Sequence, residues 1–577
     1  MSVEAASPAL VPEGTSARPL SLLLGVATLL GTLILCAISW HRAFQVDEVE
    51  TIHAAYNVAS GKLIYRDFWQ GHHPLLYWLL GAVLPVDAPA AAFHLSRGLA
   101  LLVLGTTVAL SARVTARLGG LPLLTASVLL LHTTFVERGM EVRPDGLMTL
   151  LVVAALSVGT SSAGSPRRRG VIQGVLLGVA FLVTQKAAIA SFAFGCVWLY
   201  EAMRSRDPLR VLLPCLFWGI PFAAMLAGLG LAGGLDEYVR YNLSHPVESM
   251  EGSAGASAAR FSALGPILVE GTRNIAFMIA GLAALLSCAV GLRARPAVGP
   301  VVVLAVVWGL GLFVMPFPYP YSHVGGLPAL AILLGVWLPR IASRDAGKAK
   351  GEDAGEAESS GSVRADARVA LVLAAFLCAV MLTSVPRLLR ETTRDNAYQL
   401  HLLERVQALT EPGDRVFDLA GLYFRDDAYP VYLMTGAHFV RYQQGDYPPI
   451  AAWLREHGLD LFVVNYRLKW LTGADRAFLQ SHFVRVEPNL FLSGSDLDGL
   501  PPGAAKTFEV TRAGEYRFDG AGALLVDGVS FVRGRLERGT YSLETPSGIE
   551  RGRLVRANAP GFRSGEMRDA RVFHAFD

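Results

Sequence analysis

Long apolar runs recur along most of this chain and constrain its fold more than any other feature. A helix needs roughly 20 apolar residues to span a bilayer, and on that measure the sequence predicts about eleven spans. They are expected near residues 20–40, 91–112, 121–136, 146–160, 171–185, 187–202, 211–231, 266–290, 298–316, 324–339 and 369–386. The segment 171–202 is either one long helix or two short ones divided at Gln185-Lys186. The chain is therefore predicted to be a polytopic membrane protein.

The composition supports this class. Hydrophobic residues make up 52% of the 577 residues and charged residues only 17%, whereas soluble domains average about 25% charged. The first apolar stretch, Leu20 to Trp40, exceeds the roughly 7–15 residues of a signal-peptide core, so we interpret it as a retained anchor. The five cysteines all fall in apolar segments and show no metal or disulfide spacing. The net charge of +3 gives no indication of a nucleic-acid partner.

Lysine and arginine gather in five loops, which sets the expected topology. These residues are Arg113 and Arg117; Arg167 to Arg169; Arg204, Arg206 and Arg210; Arg293 and Arg295; and six within 340–368. With eleven spans all five loops fall on one side, which the positive-inside rule makes cytoplasmic. Loops 41–90, 137–145, 185–186, 232–265 and 317–323, and everything after about 387, then face outward. The short apolar segment Pro74 to Val86 is expected to lie in the interface.

The chain divides into six predicted parts. A cytoplasmic tail (1–18) precedes a transmembrane module (19–343), a flexible cytoplasmic linker (344–367) rich in Gly, Ala and charge, and a last span (368–386). The pattern then changes to helix followed by buried strand, which predicts an outward α/β domain over 387–500. Short alternating runs divided by Gly and Asp predict a β-rich module over 501–577.

The loop after the first span carries the first candidate site. Asp47 and Glu48 follow the apolar run, and Gly, Tyr, Trp, His and Pro residues come next. Ionisable residues at the mouth of a helix bundle are costly to place and are functional candidates. The alternative is that the pair caps the exit of the first helix and faces water.

Four motifs resemble, in order, those of the GT-C superfamily of membrane glycosyltransferases, nearest to glycosyltransferase family 39 and the aminoarabinose-transferase-like group. They are "DEVE…YRDF…HHPLLYW" in the first loop, "FHLSRGLALL" (Phe93 to Leu102), "MEVRPDGLMTLL" (Met140 to Leu151) and "PFPYPYSHVGGLPALAIL" (Pro316 to Leu333). The similarity covers roughly residues 20–340. It implies an inverting transfer from a polyprenyl-phosphate sugar, with Asp47 as general base and Glu48 holding the base or the acceptor.

The resemblance also implies groups that bind the donor. Cations should gather where the charge of the leaving phosphate develops. The candidates are His72, His73, Arg97, Arg138, Arg143 and Lys186. Aminoarabinose transferases have a lysine near the position of His72 or His73, so this chain departs from their pattern there. Lys186 equally fits snorkelling to the interface, and Arg97 equally fits an interface anchor.

Further substrate-binding candidates lie in the other loops predicted to face outward. Asp145, with Glu141 and Arg143, matches the second acidic site of the superfamily, and the alternative is that Asp145 caps the helix after Pro144. Asp47, Glu48 and Asp145 are the candidate ligands of a divalent cation, Mg²⁺ or Mn²⁺, and no cofactor is certain. Sugar or lipid contacts are also predicted for Tyr65, Tyr319, Tyr321 and His323, the last three of which equally fit an interface girdle.

The sequence thus predicts a GT-C glycosyltransferase of about eleven transmembrane helices with a C-terminal periplasmic α/β and β-rich region. It would act at the outer face of the inner membrane, with a lipid, glycan or protein as acceptor. No phosphate-binding glycine loop with its lysine (GxxxxGK[ST]) occurs, which disfavours nucleotide-driven chemistry. Two alternatives stay open: a glycolipid transporter or flippase, and an inactive glycan-binding scaffold.

Overall fold

The computed structural model describes residues 17–244, 264–313, 315, 320–348, 358–561 and 571–573. Among these residues helices dominate as far as residue 409, and strands appear only after it. The helices of the first part, α1 to α16, are Ala17–His41, Val46–Ala59, Leu75–Gly81, Pro89–Arg117, Pro122–Leu131, Thr133–Gly139, Pro144–Gly159, Pro166–Phe181, Ala187–Ser205, Leu209–Ala232, Leu235–Val239, Leu264–Arg273, Ile275–Val290, Gly299–Gly311, Leu327–Lys348 and Glu358–Arg390.

The described residues form two compact units. The helical unit lies within Met1–Arg42, Gly71–Leu76 and Leu95–Thr393, and the sheet unit within Ala43–Gln70, Tyr77–His94 and Arg394–Asp577. The sequence pattern places the whole first loop in the transmembrane module, whereas most of that loop belongs to the sheet unit. Hydropathy cannot show this, because the loop and its partners are far apart in the chain.

Several helices of the described residues are long and apolar enough to cross a bilayer. There are five, or six if the bent pair α6–α7 counts as one span. Three shorter apolar helices, Pro122–Leu131, Pro296–Gly311 and Leu327–Leu338, accompany them. The chain is a multi-pass membrane protein, and the predicted count of eleven spans stays a prediction.

The segment 171–202 is divided, as the charge pattern of the loops favoured. Helix α8 ends at Phe181 and α9 begins at Ala187, so the break contains Gln185-Lys186. The predicted linker 344–367 is described only at its ends, where α15 continues to Lys348 and α16 begins at Glu358.

Helices α8 and α10 pack closely through a row of glycines four residues apart, Gly170, Gly174 and Gly178. A methyl group added at Gly174 would lie 2.3 Å from the carbonyl oxygen of Pro214, and one at Gly178 would lie 2.5 Å from that of Trp218. Small residues at this spacing let helix backbones approach within a membrane. This contact fixes the position of α8, whose end forms one side of the break before α9.

The sheet unit contains four further helices and twelve strands among its described residues. The helices, α17 to α20, are Ala397–Leu409, Gly436–Gln444, Ile450–His457 and Gly473–His482. The strands, β1 to β12, are Arg415–Phe417, Asp426–Asp427, Leu461–Val463, Phe483–Glu487, Leu490–Asp496, Ala504–Val510, Gly514–Gly520, Leu524–Val526, Val529–Phe531, Arg533–Leu536, Gly539–Thr545 and Gly552–Arg556. The predicted helix–strand alternation after residue 396 is confirmed.

One sheet joins the predicted α/β and β-rich parts. Its strand order is β10-β7-β12-β5-β3-β1-β2, and β4 also pairs with β5. Strands β1, β2 and β3 run parallel, and β12 pairs antiparallel with β5, placing Leu554 opposite Ser495. A second, antiparallel sheet has the order β6-β11-β8-β9. The boundary predicted near residue 500 therefore falls within a region that shares a sheet.

Candidate functional site

The second acidic motif lies at a sharp break in the helical unit. Helices α6 and α7 are bent by 111° at the residues between Gly139 and Pro144. Pro144 starts α7 and forces the preceding Arg143 into an extended conformation, with φ −138° and ψ 152°. Asp145 then occupies the first helical turn, where the helix dipole favours a carboxylate.

A second helix break brings Lys186 to the same carboxylate. Lys186 immediately precedes α9, and its Nζ lies 2.8 Å from Oδ1 of Asp145. The Nε of Arg143 lies 3.7 Å from Oδ2. The side chain of Lys186 is 19% exposed and that of Asp145 only 8%. Lys186 is thus held by a buried carboxylate, which differs from the snorkelling alternative.

Tyr321 completes this group, which we call the Asp145 cluster: Arg143, Asp145, Lys186 and Tyr321. The guanidinium carbon of Arg143 lies 3.9 Å from the centroid of the Tyr321 ring, and Nζ of Lys186 lies 4.7 Å from it. Both are cation–π distances. Tyr321 belongs to the short 3₁₀ helix Pro320–His323, so the fourth motif meets the third here. Tyr319 lies outside the described residues.

Glu141 anchors a buried ion network next to this cluster. Its carboxylate has no exposed surface and contacts Arg42 and Arg138, each at 2.9 Å, and Arg143 at 3.5 Å. Arg42 also donates from Nε to Glu391 at 2.6 Å. Neither Arg42 nor Glu391 is predicted as a site residue by the sequence pattern. The available signal was an arginine directly after the first apolar run, which interface snorkelling explains equally well.

The two histidines of the first motif differ in their surroundings. His72 is close enough to contribute to the electrostatic field at Asp145. His73 is fully buried; its Nδ1 donates to the carbonyl of Phe181, and its Nε2 accepts from the hydroxyl of Tyr238 at 3.0 Å. Burial lowers the pKa of His73 to about 4. With both nitrogens engaged in a neutral ring, His73 supports the local packing.

Two other candidates in the helical unit are also buried. Arg97, 1% exposed, donates to the carbonyl oxygens of Ser39, at 2.9 Å, and Arg42. It therefore satisfies carbonyl groups where α1 ends. His323 is 7% exposed, and burial lowers its pKa to about 4.

A buried polar group around Glu270 was missed by sequence analysis. The carboxylate of Glu270 has no exposed surface; it accepts from Asn274 at 2.8 Å and from Thr134, and His132 lies 3.5 Å away. Glu270 falls inside a predicted span, 266–290. A single carboxylate in an apolar run was the signal that could have identified it.

In the sheet unit, Asp47 and Glu48 lie in the first turn of α2. This helix is separate from α1 and begins directly after Gln45. The pair therefore does not cap the exit of α1. Asp47 is partly exposed, but Glu48 is fully buried, so Glu48 does not face water. Tyr65, from the same motif, is 2% exposed and adopts a left-handed conformation with φ +70°.

Farther along α2, His53 and Asn57 meet Asp427 of β2. His53 Nε2 lies 2.8 Å from Oδ1 of Asp427, and Asn57 Nδ2 donates to Oδ2 at 3.1 Å. Burial alone would raise the pKa of Asp427, but His53, Lys62 and Tyr423 outweigh it and hold this pKa below its ordinary value. This contact was not predicted, since the resemblance ended near residue 340.

Comparison with known proteins identifies the fold. No protein-family model matches the sequence, and no curated protein matches it significantly. Among solved structures, ArnT from Cupriavidus metallidurans bound to undecaprenyl phosphate is similar with a TM-score of 0.51 and 14% identity, over 83% of this chain and 98% of ArnT. The chain has the GT-C fold. The fold expected from the four motifs is thereby confirmed.

Other GT-C structures are similar at lower scores. The apo state of the same ArnT gives a TM-score of 0.49 at 14% identity and the same coverage. The oligosaccharyltransferase of Archaeoglobus fulgidus gives 0.43 at 11% identity, over 82% of this chain and 73% of that one. In the described part of the present chain, no three His, Cys, Asp or Glu side chains form a group that could hold a metal ion. The divalent cation stays a prediction.

Proposed function

We propose that this protein is a membrane glycosyltransferase that transfers a sugar from a polyprenyl-phosphate carrier to a lipid, glycan or protein acceptor. The observation that carries the proposal is the Asp145 cluster within a GT-C fold. ArnT, which shares this fold, has been solved with undecaprenyl phosphate bound. The reaction would take place at the outer face of the bacterial inner membrane.

The Asp145 cluster has the properties of a phosphate site. Lys186 has three N–H donors, and one of them suffices for Asp145 at 2.8 Å. Arg143 and Lys186 precede α7 and α9, whose first N–H groups favour an anion. Asp145 holds these cations in place while no donor is bound. We assign phosphate binding to Lys186 and Arg143, and we leave His73 and Arg97 out of this site.

The transfer itself needs a base and a leaving group. The acceptor hydroxyl attacks the anomeric carbon, the bond from that carbon to the phosphate oxygen breaks, and its electron pair leaves with the polyprenyl phosphate. Asp47 accepts the proton of the hydroxyl, and attack opposite the leaving group inverts the anomeric centre. Positioned bases of this kind contribute about 10²–10⁴-fold. The partial exposure of Asp47 fits a carboxylate that a substrate can reach.

The test is turnover by the purified full-length protein with a panel of radiolabelled polyprenyl-phosphate sugars and extracts of envelope lipids and glycans. Released polyprenyl phosphate is measured for the wild type, for Asp47→Asn and for Asp87→Asn, an exposed acid of the same loop. The expected result is one active donor, a loss of about 10²–10⁴-fold in Asp47→Asn and normal turnover in Asp87→Asn. Normal turnover in Asp47→Asn would remove its role, and no turnover with any donor would favour the transporter or scaffold.

A further inference from the structure

The helix that carries Asp47 is fastened to the C-terminal part of the chain at two places within the sheet unit. The first attachment is directly before α2. The backbone N–H of Phe44 donates to Oε1 of Gln399 at 2.7 Å, and Nε2 of Gln399 donates to the carbonyl of Phe44 at 2.9 Å. Gln399 is 1% exposed, so this pair of hydrogen bonds fixes the entry of the chain into α2 without competition from water.

The second attachment lies past the first turns of α2. His53 and Asn57 are four residues apart and therefore project from the same face of the helix. Both bind the carboxylate of Asp427, at 2.8 and 3.1 Å. Both residues are fully buried. Asp47 lies between the two attachments in the chain.

Asp427 is fully engaged by donors. Both ring nitrogens of His53 face oxygen acceptors, Nδ1 the carbonyl of Tyr423 and Nε2 the carboxylate of Asp427, each at 2.8 Å. Both ring nitrogens of His53 are therefore engaged with oxygen atoms of the C-terminal part. The hydroxyl of Tyr423 adds a third donor at 2.8 Å, and Lys62 supports Asn57 at 3.1 Å.

The surrounding packing leaves His53 little freedom. Gly421 has φ +82°, and a methyl group added there would lie 2.9 Å from Cβ of His53. The rings of Tyr423 and Tyr432 lie 4.7 and 4.8 Å from that of His53. One turn along, Tyr56 stacks on Phe424 at 4.6 Å. The C-terminal part therefore packs closely against this face of α2 and holds it in one position.

We infer that Asp427 is a positioning residue, which sets the place of α2 and thereby orients Asp47 for proton transfer. The inference rests on the proposed function and gives the C-terminal region a part in that reaction. Catalysis is sensitive to such placement, since a shift of 1 Å can reduce the rate by about 10²-fold. Asp427 itself touches no substrate in this scheme; it acts through His53 and Asn57.

The test compares Asp427→Asn with Asp426→Asn in the full-length protein. Asp426 is the neighbouring acid of β2, and its side chain is 48% exposed. We expect Asp427→Asn to lower kcat by about 10- to 100-fold, with the KM for the donor and the binding of polyprenyl phosphate unchanged. Asp426→Asn should behave as the wild type. If Asp427→Asn does not fold, Asp427→Glu, which keeps the charge but lengthens the side chain, serves in its place.

Combination with Asp47→Asn separates positioning from general stabilisation. If Asp427 acts through Asp47, its substitution should have little further effect on the residual kcat of Asp47→Asn. An undiminished effect in that background, or a normal kcat in the single variant, would overturn the inference. The proposed function is tested separately by Asp47→Asn alone, so a failure of one is distinguishable from a failure of the other.

Discussion

Nζ of Lys186 lies 2.8 Å from Oδ1 of Asp145, although 41 positions separate the two residues in the chain. Each stands at the start of a different helix, after a break in an apolar region. The ion pair therefore ties two helix N-termini together and places a cation beside both of them.

Lys186→Met should weaken the binding of polyprenyl phosphate by about 10- to 100-fold, because a charged hydrogen bond contributes roughly 1.5–3 kcal/mol. Lys186→Arg should retain part of the affinity, since it keeps the charge. The measurement is equilibrium binding of labelled lipid phosphate to the detergent-purified protein. Lys469→Met, at an exposed lysine, is the control. Equal affinities for Lys186→Met and the wild type would contradict the assignment.

Glu141→Gln should destabilise the protein by about 3–5 kcal/mol, the typical cost of breaking a buried ion pair. Arg42, Arg138 and Arg143 would lose the anion that they share. The check is the thermal unfolding midpoint in detergent. Glu237→Gln should change it little, because Glu237 and its partner Arg240 are 38% and 56% exposed. Equal midpoints for the two variants would show that Glu141 is not the anchor of this network.

His73 should make the protein sensitive to mild acid. Its pKa is about 4 in the folded protein and about 6.5 when unfolded, so the unfolded state binds a proton first as the pH falls. The contribution of His73 is fully present above pH 6.5 and is lost as the pH falls towards 4, by about 3 kcal/mol.

His73→Gln keeps one donor for Phe181 and one acceptor for Tyr238 but does not titrate. The loss of stability between pH 7 and 4.5 should therefore be smaller in this variant, as measured by denaturation at both values. His401→Gln should retain the wild-type loss, because His401 is 53% exposed. An unchanged acid response in His73→Gln would exclude His73 as its source.

Gly174→Ala should destabilise the helical unit by about 1–3 kcal/mol, as overpacking does. The added methyl group would lie 2.3 Å from the backbone oxygen of Pro214, which cannot turn aside as a flexible side chain would. Gly219→Ala on α10 meets nothing within 4 Å and should be neutral or stabilise by up to about 1 kcal/mol. The measurement is the thermal unfolding midpoint of both variants; an equal loss of stability in both would argue against the close contact.

The fold was predictable because its determinants are local. Apolar length, loop charge and four ordered motifs identified a GT-C membrane protein, and the helix–strand alternation identified the C-terminal region. The division at Gln185-Lys186 could also be predicted, because the five basic loops fall on one side of the membrane only if residues 171–202 form two helices.

The site was less predictable, because its contacts join distant parts of the chain. Arg42 and Glu391 are 349 positions apart, and His53 and Asp427 are 374 apart. The sequence pattern around either partner does not identify the other. Glu270 was not predicted for a different reason: one carboxylate hardly lowers the mean hydropathy of a span. Arg97 and His73 have side chains that could bind a phosphate. Only the structure shows that Arg97 donates to backbone carbonyls and that His73 contacts a backbone carbonyl and Tyr238.

The attachment of α2 to Asp427 also concerns how the protein is made. At translation rates of about 5–20 residues per second, the 374 positions between His53 and Asp427 correspond to roughly 20–75 seconds. During that interval the 14 residues of α2 are without their partner, and isolated helices of this length are marginal in water. The nascent chain thus acquires an ordered Asp47 only after Asp427 has been synthesised, and a product that terminates before Asp427 lacks it.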